Sequence, residues 1–190
     1  MSTATSEGIA VWLTGLPASG KTTIAQALQR ELAAMGVATQ LLDSDEMRHI
    51  LTPDPDYSAA ARDRFYAVLV YIAGLLTRNG VHVLIAATGP RRRHREAARQ
   101  QMAYFCEVYV ATDLSTCQSR DPKGLYARAA AGEIETLPGI GLPYEPPPAA
   151  EITISGDDAV DEAVAKIKQL LFAKWLAQKP HRVPPRSTFA

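Results

Sequence analysis

Residues 15–22 read Gly15-Leu16-Pro17-Ala18-Ser19-Gly20-Lys21-Thr22. This is the pattern G-x-x-x-x-G-K-[ST]. Backbone N–H groups of such a loop converge on the phosphates of a nucleotide. Lys21 is expected to reach the β- and γ-phosphates, and the Thr22 hydroxyl to ligate Mg²⁺. With Thr23, these residues form the expected ATP-binding segment. The flanks agree. Ile9-Ala10-Val11-Trp12-Leu13 reads as a buried strand. Ile24, Leu28 and Leu32 then recur every four residues, the spacing of a helix. Its N-terminus adds a positive dipole end to the anion site.

Working outward, strand and helix signals alternate. Strands are expected over 37–42, 81–87, 107–111 and 152–154. A long helix is expected over 58–78, with Phe65, Leu69, Ile72 and Leu76 on one stripe. Pro90 is expected to start another helix, and Asp157-Asp158 to open a last one, with Val160, Val164, Ile167 and Leu171 inward. Residues 120–150 carry little periodicity and many Pro and Gly, and read as a long functional loop or lid. This alternation predicts an α/β fold, a parallel sheet with helices on both faces. Phosphates should lie at the carboxyl ends of its strands.

The chain has 190 residues, formal net charge zero and two cysteines. Its length suits a single domain over 1–177, followed by a Pro-containing tail over 178–190. Neutrality gives no basic field for nucleic acid or a membrane surface. No apolar run approaches the roughly 18 residues of a membrane span, and no leader pattern is visible. Cys106 and Cys117 lack metal spacing and read as reduced thiols. The expected location is cytoplasmic, with neither nucleic acid nor membrane as a partner.

Three further segments suggest chemistry. Asp43-Ser44-Asp45-Glu46-Met47-Arg48 puts two carboxylates at a strand's carboxyl end. That suits a Mg²⁺ shell and a base for an attacking hydroxyl; a plain helix N-cap is the bland alternative. Arg120-Asp121-Pro122-Lys123-Gly124-Leu125-Tyr126 offers Lys123 on a turn, as a cationic lid would; from the residues alone, a plain surface turn is the favoured reading. Arg91-Arg92-Arg93-His94-Arg95 opposes its own helix dipole. It reads as a solvated face, or as a binder of anionic substrate groups.

Together, the loop 15–22, the acidic segment 43–48 and the lid segment 120–126 resemble the adenylylsulfate kinase (APS kinase) family. Gly132-Glu133-Ile134, Gly139-Ile140 and Pro143-Tyr144-Glu145-Pro146-Pro147 are similar to the same family's lid. The resemblance runs from about Ile9 to Leu171. It implies a P-loop kinase, usually a homodimer, that uses Mg²⁺ to move the ATP γ-phosphate to the 3′-hydroxyl of adenosine 5′-phosphosulfate (APS), giving PAPS. It implies Lys21, Asp45 and Lys123 as catalytic residues and Thr22 and Asp43 at the metal. Arg120 would lie beside the ATP adenine. Asp45, Arg48, Tyr57, Arg62, Lys123 and Leu125 would line the acceptor site.

Departures from the family concentrate on the acceptor side. Ser44 replaces a glycine and Ala61 an aspartate. Phe65 stands for an asparagine, and Ala67 and Val68 for a following pair of arginines. Gly89 replaces the serine of an I-S-P segment, and Leu137 a stacking aromatic. Two alternatives follow: the same chemistry on another nucleotide or a nucleoside diphosphoramidate, or a nucleotide-binding regulatory module without turnover.

Overall fold

The computed structural model describes residues 7–52 and 57–176; the tail expected over 178–190 lies outside them. Strand β1 (Ala10–Thr14) leads through the phosphate loop into helix α1 (Lys21–Ala34). Strand β2 (Thr39–Asp43) and helix α2 (Ser44–Leu51) follow, then helix α3 (Ala59–Arg78) and strand β3 (His82–Ala86). Helix α4 (Arg92–Gln101) and strand β4 (Phe105–Ala111) precede two short helices, α5 (Leu114–Arg120) and α6 (Leu125–Ala130). Strand β5 (Ile152–Ser155) and helix α7 (Val160–Lys174) complete the described fold.

The five strands are parallel, in the order β2-β3-β1-β4-β5. Every residue of the central β1 is buried. Strand period 2 then divides its side chains between two cores. Val11 and Leu13 meet Ile24 and Leu28 of α1 and Val164 and Ile167 of α7. Ala10 and Trp12 meet Phe65, Tyr66 and Leu69 of α3 and Ala98 of α4. Helices therefore cover both faces, as the alternation predicted.

Several expectations are corrected. Residues 44–51, not expected among the helices, form helix α2, and Asp43 caps it as the N-cap alternative held, its side chain accepting from the Asp45 amide. The segment 120–150 is not wholly irregular, because it contains α6. Helix α4 starts at Arg92 rather than Pro90. Helix α7 is capped by Ala159, and Val160 is exposed while Ala163 turns inward.

The basic run 91–95 is a solvated face only in part, Arg92 and Arg93 being exposed and His94 and Arg95 buried, and it does not line the cleft described below. Arg93 and His94 both contact Asp63 of α3. The Arg92 amide donates to Glu145 Oε2 at 2.8 Å, and its Nε to Pro146 O. Arg95 is 2% exposed and pairs with Glu107, 8% exposed, at 2.5 Å. It also donates to the carbonyls of Gly89 and Glu145. These contacts fix the far end of the lid to the sheet. Tyr144 extends them, with its hydroxyl 3.0 Å from Thr14 Oγ1. Removing one member of a buried ion pair costs about 3–5 kcal/mol when the other charge is left alone; here Glu107 keeps the longer contact to Arg99 at 3.4 Å. Arg95→Met should therefore lower unfolding free energy by about 3 kcal/mol, the low end of that range. Urea denaturation followed by circular dichroism checks this; an unchanged midpoint would remove the anchoring role.

Candidate active site

The phosphate loop has the backbone that its glycines predict. Gly15 has φ +152°, and a Cβ there would meet Val110 O at 2.5 Å. Gly20, at φ 103°, caps α1 without any side-chain hydrogen bond. The first turn of α1 holds no acidic residue, so its N–H groups lack a side-chain acceptor. Such an end suits an anion. Two residues brace the loop from outside it. Thr112 Oγ1 donates to Ser19 O at 3.0 Å, and the Tyr126 hydroxyl to Pro17 O at 3.0 Å. Sequence reading did not single out Thr112 or give Tyr126 this role.

Lys21 curls over the loop. Its ammonium donates to the carbonyls of Gly15 (3.1 Å) and Leu16 (2.6 Å) and to Ser19 Oγ (3.3 Å). Burial pulls its pKa from 10.5 down to about 8, against the opposing pull of Asp45, Cys117 and Asp43. The group is thus poised to regain full charge beside phosphates. Thr22 Oγ1 donates to Asp43 Oδ2 at 2.7 Å. The same carboxylate caps α2 through Oδ1. Cap and metal-side readings of Asp43 are therefore compatible, one oxygen for each. A hydroxyl beside a carboxylate oxygen is the hard donor set that Mg²⁺ favours.

These residues line an open cleft of about 1140 Å³ at the carboxyl ends of the strands. Lys123, on the turn between α5 and α6, reaches across it to Asp45 Oδ2 at 2.5 Å. Both side chains are more than half exposed, so the pair adds little stability. Its significance is placement: it brings the lid cation to the first turn of α2. Arg120 lines the cleft beside Ser155, Gly156 and Asp158, and donates to Gly156 O at 3.1 Å. Leu125 also lines the cleft and joins Leu16, Ala18, Tyr126 and Leu137 in an apolar cluster under the lid.

A third group comprises Arg48, Tyr57 and Arg62, brought together by α2 and the start of α3. Arg62 is 8% exposed. It donates from Nε to Tyr57 O at 3.1 Å, and from one terminal nitrogen to Thr136 O at 2.6 Å and Thr136 Oγ1 at 3.1 Å. It therefore ties the lid to α3 as well as lining the cleft. Two departures gain a physical account here. Gly89 has φ +49°, and a Cβ there would stand 3.0 Å from the Trp12 ring. A serine would be strained and crowded. The Gly89 amide donates instead to the Tyr66 hydroxyl at 3.0 Å. Leu137 is 5% exposed and packs with Cys117 and Tyr126, so it is part of the lid's own core.

The family profile described as adenylylsulphate kinase matches residues 7–155. The chain belongs to the adenylylsulphate kinase family. The adenylyl-sulfate kinase of Microcystis aeruginosa is 45% identical over 161 residues, covering 84% of this chain and 89% of that protein. That of Rippkaea orientalis is 43% identical, covering 92% and 97%. Among solved structures, the Mycobacterium tuberculosis APS kinase in complex with AMPPNP and APS superposes with a TM-score of 0.83. It is 39% identical, and the match covers 87% of this chain and 98% of that one. Shikimate kinase from Aquifex aeolicus, 15% identical at a TM-score of 0.54, shares the fold alone. Among the described residues, no helix is long and apolar enough to cross a membrane.

Proposed function

We propose that this adenylylsulphate kinase family member transfers the γ-phosphoryl group of ATP to the 3′-hydroxyl of APS, giving PAPS and ADP. The observation that carries the reading is the Lys123–Asp45 contact above the phosphate loop. It joins a lid cation and a carboxylate beside the expected position of the γ-phosphate. Family membership and similarity to an APS kinase structure that holds AMPPNP and APS support the acceptor.

In this mechanism the loop amides and Lys21 hold the β- and γ-phosphates. Thr22 and Asp43 would hold Mg²⁺, which would neutralise phosphate charge. Asp45 accepts the proton of the acceptor hydroxyl as that oxygen forms its bond to phosphorus and the bond to ADP breaks. Lys123 meets the charge shared between donor and acceptor. Arg48 and Arg62 grip the anionic 5′ side of the acceptor through charge-assisted hydrogen bonds. Arg120 lies beside the donor base, and Tyr57 and Leu125 border the acceptor. The lid, held at Thr136 and Glu145, excludes water from the reaction.

An ATP-consumption screen across acceptors tests this. ADP should form rapidly with APS and only slowly with other nucleotides, with nucleoside diphosphoramidates or without acceptor. Faster turnover on one of those compounds would move the assignment to that acceptor. ATP binding without turnover on any of them would indicate a regulatory module.

A further inference from the structure

Arg48 is held in an unusual way. Among the described residues, no carboxylate lies within ion-pair distance of its guanidinium. Three aromatic rings surround it instead. Its guanidinium carbon lies 3.8 Å from the centroid of Phe65, 5.5 Å from Tyr57 and 5.9 Å from Tyr66. Phe65 is 3% exposed, and its ring meets that of Tyr66 edge to face, with centroids 5.4 Å apart. The Tyr66 hydroxyl is in turn fixed by the Gly89 amide. The ring under Arg48 is therefore packed into the core and braced by Tyr66.

We propose that Phe65 is a positioning residue for the acceptor, a fixed platform that holds the Arg48 guanidinium ready for an anionic group. This rests on the acceptor reading above. A flat guanidinium stacks on an aromatic face while its N–H groups remain free at the ring's edge. A carboxylate partner would hold the arginine equally well but would consume those donors and neutralise its charge. Here the aromatic platform leaves the charge, and every donor except the one that faces the Tyr66 hydroxyl, for the ligand. Preorganisation lowers the ordering cost of binding, so the effect should appear in acceptor affinity. The same observation gives a function to a position where the sequence departs from its family. The polar contact of an asparagine is replaced by a ring that acts through its neighbour.

The test is a double-mutant cycle with Phe65→Leu and Arg48→Ala, measuring KM for APS, KM for ATP and kcat, with thermal unfolding alongside. Phe65→Leu keeps an apolar side chain in the core and removes the π-face. It should raise KM for APS about tenfold, as loss of a partly desolvated cation–π contact does. KM for ATP and kcat should stay within about threefold. In the Arg48→Ala background, Phe65→Leu should change KM for APS by less than about twofold. Phe65→Tyr, which keeps the ring, should restore most of the affinity.

An unchanged KM for APS in Phe65→Leu overturns the proposal. So does an equal loss with and without Arg48, because that marks general loosening of the core. Wild-type turnover separates the two levels. A wild type inactive on APS fails the functional reading and this proposal with it. An active wild type that shows no coupling between Phe65 and Arg48 fails this proposal alone.

Discussion

Replacing Asp45 by asparagine should lower kcat by about 10²–10⁴ while ATP binding stays nearly unchanged. The side chain keeps its shape and its place on α2. It loses the charge that draws Lys123 across the cleft and the basicity that accepts the hydroxyl proton. The Asp43 cap remains, because Asp43 receives the backbone amide of residue 45, which the substitution leaves in place. The helix should therefore persist, and circular dichroism should match wild type. Steady-state kinetics with both substrates varied, together with calorimetric ATP titration, read the outcome. Equal losses in ATP affinity and kcat would make Asp45 a metal-side residue. Wild-type turnover would remove it from the chemistry.

Lys21→Ala should reduce kcat by on the order of 10²–10³ with the fold intact. Phosphoryl transfer offers the protein little covalent work, so positioned charge supplies most of the catalysis. The lysine also has a titration signature. Its pKa is held down to about 8 without ligand, by burial. ATP phosphates favour the charged form and raise it again. At a pH near 9, free Lys21 is then mostly neutral and bound Lys21 mostly charged, so ATP binding should take up protons. Below about pH 7 the lysine is charged in both states and this uptake should vanish. Calorimetry in buffers of different ionisation enthalpy measures it. Lys21→Ala should abolish the uptake along with turnover; a variant within about tenfold of wild type would contradict the phosphate-loop assignment.

What the sequence revealed about this site depended on how local each feature is. The phosphate loop was legible because its backbone is dictated within eight consecutive residues, by glycines at 15 and 20 and by the helix that follows. The strands were legible because buried parallel strands are continuous apolar runs. The buried half of the basic run 91–95, His94 and Arg95, was not legible because its partners lie far away in sequence. Asp63, Glu107 and Glu145 reach it only through the tertiary fold. Within its own helix it had no acidic neighbour before Glu96, which made it look solvated. Helix α2 was legible only as the N-cap alternative at Asp43, for a related reason. No side chain in Ser44–Leu51 is fully buried, so it carries no core stripe to announce it. Family resemblance supplied Lys123 and Asp45 separately, but their contact spans 78 residues and needed the structure.

Phe65 illustrates the same limit. Its spacing with Leu69 and Ile72 marked it as a core residue, and it is one. The stripe gave no sign that the ring's other surface supports Arg48, because Arg48 belongs to another helix. The reason glycine is required at 89 was equally hidden, since the crowding comes from Trp12 on β1.

The central claim is that this site moves the γ-phosphoryl group of ATP onto APS. The most direct measurement follows that group itself, using ATP labelled at the γ-position, Mg²⁺ and APS, with the products separated by chromatography. The account predicts label in a product that co-elutes with PAPS, formed in equal amount with ADP. Label released as inorganic phosphate, or retained in ATP while APS is recovered unchanged, would contradict it.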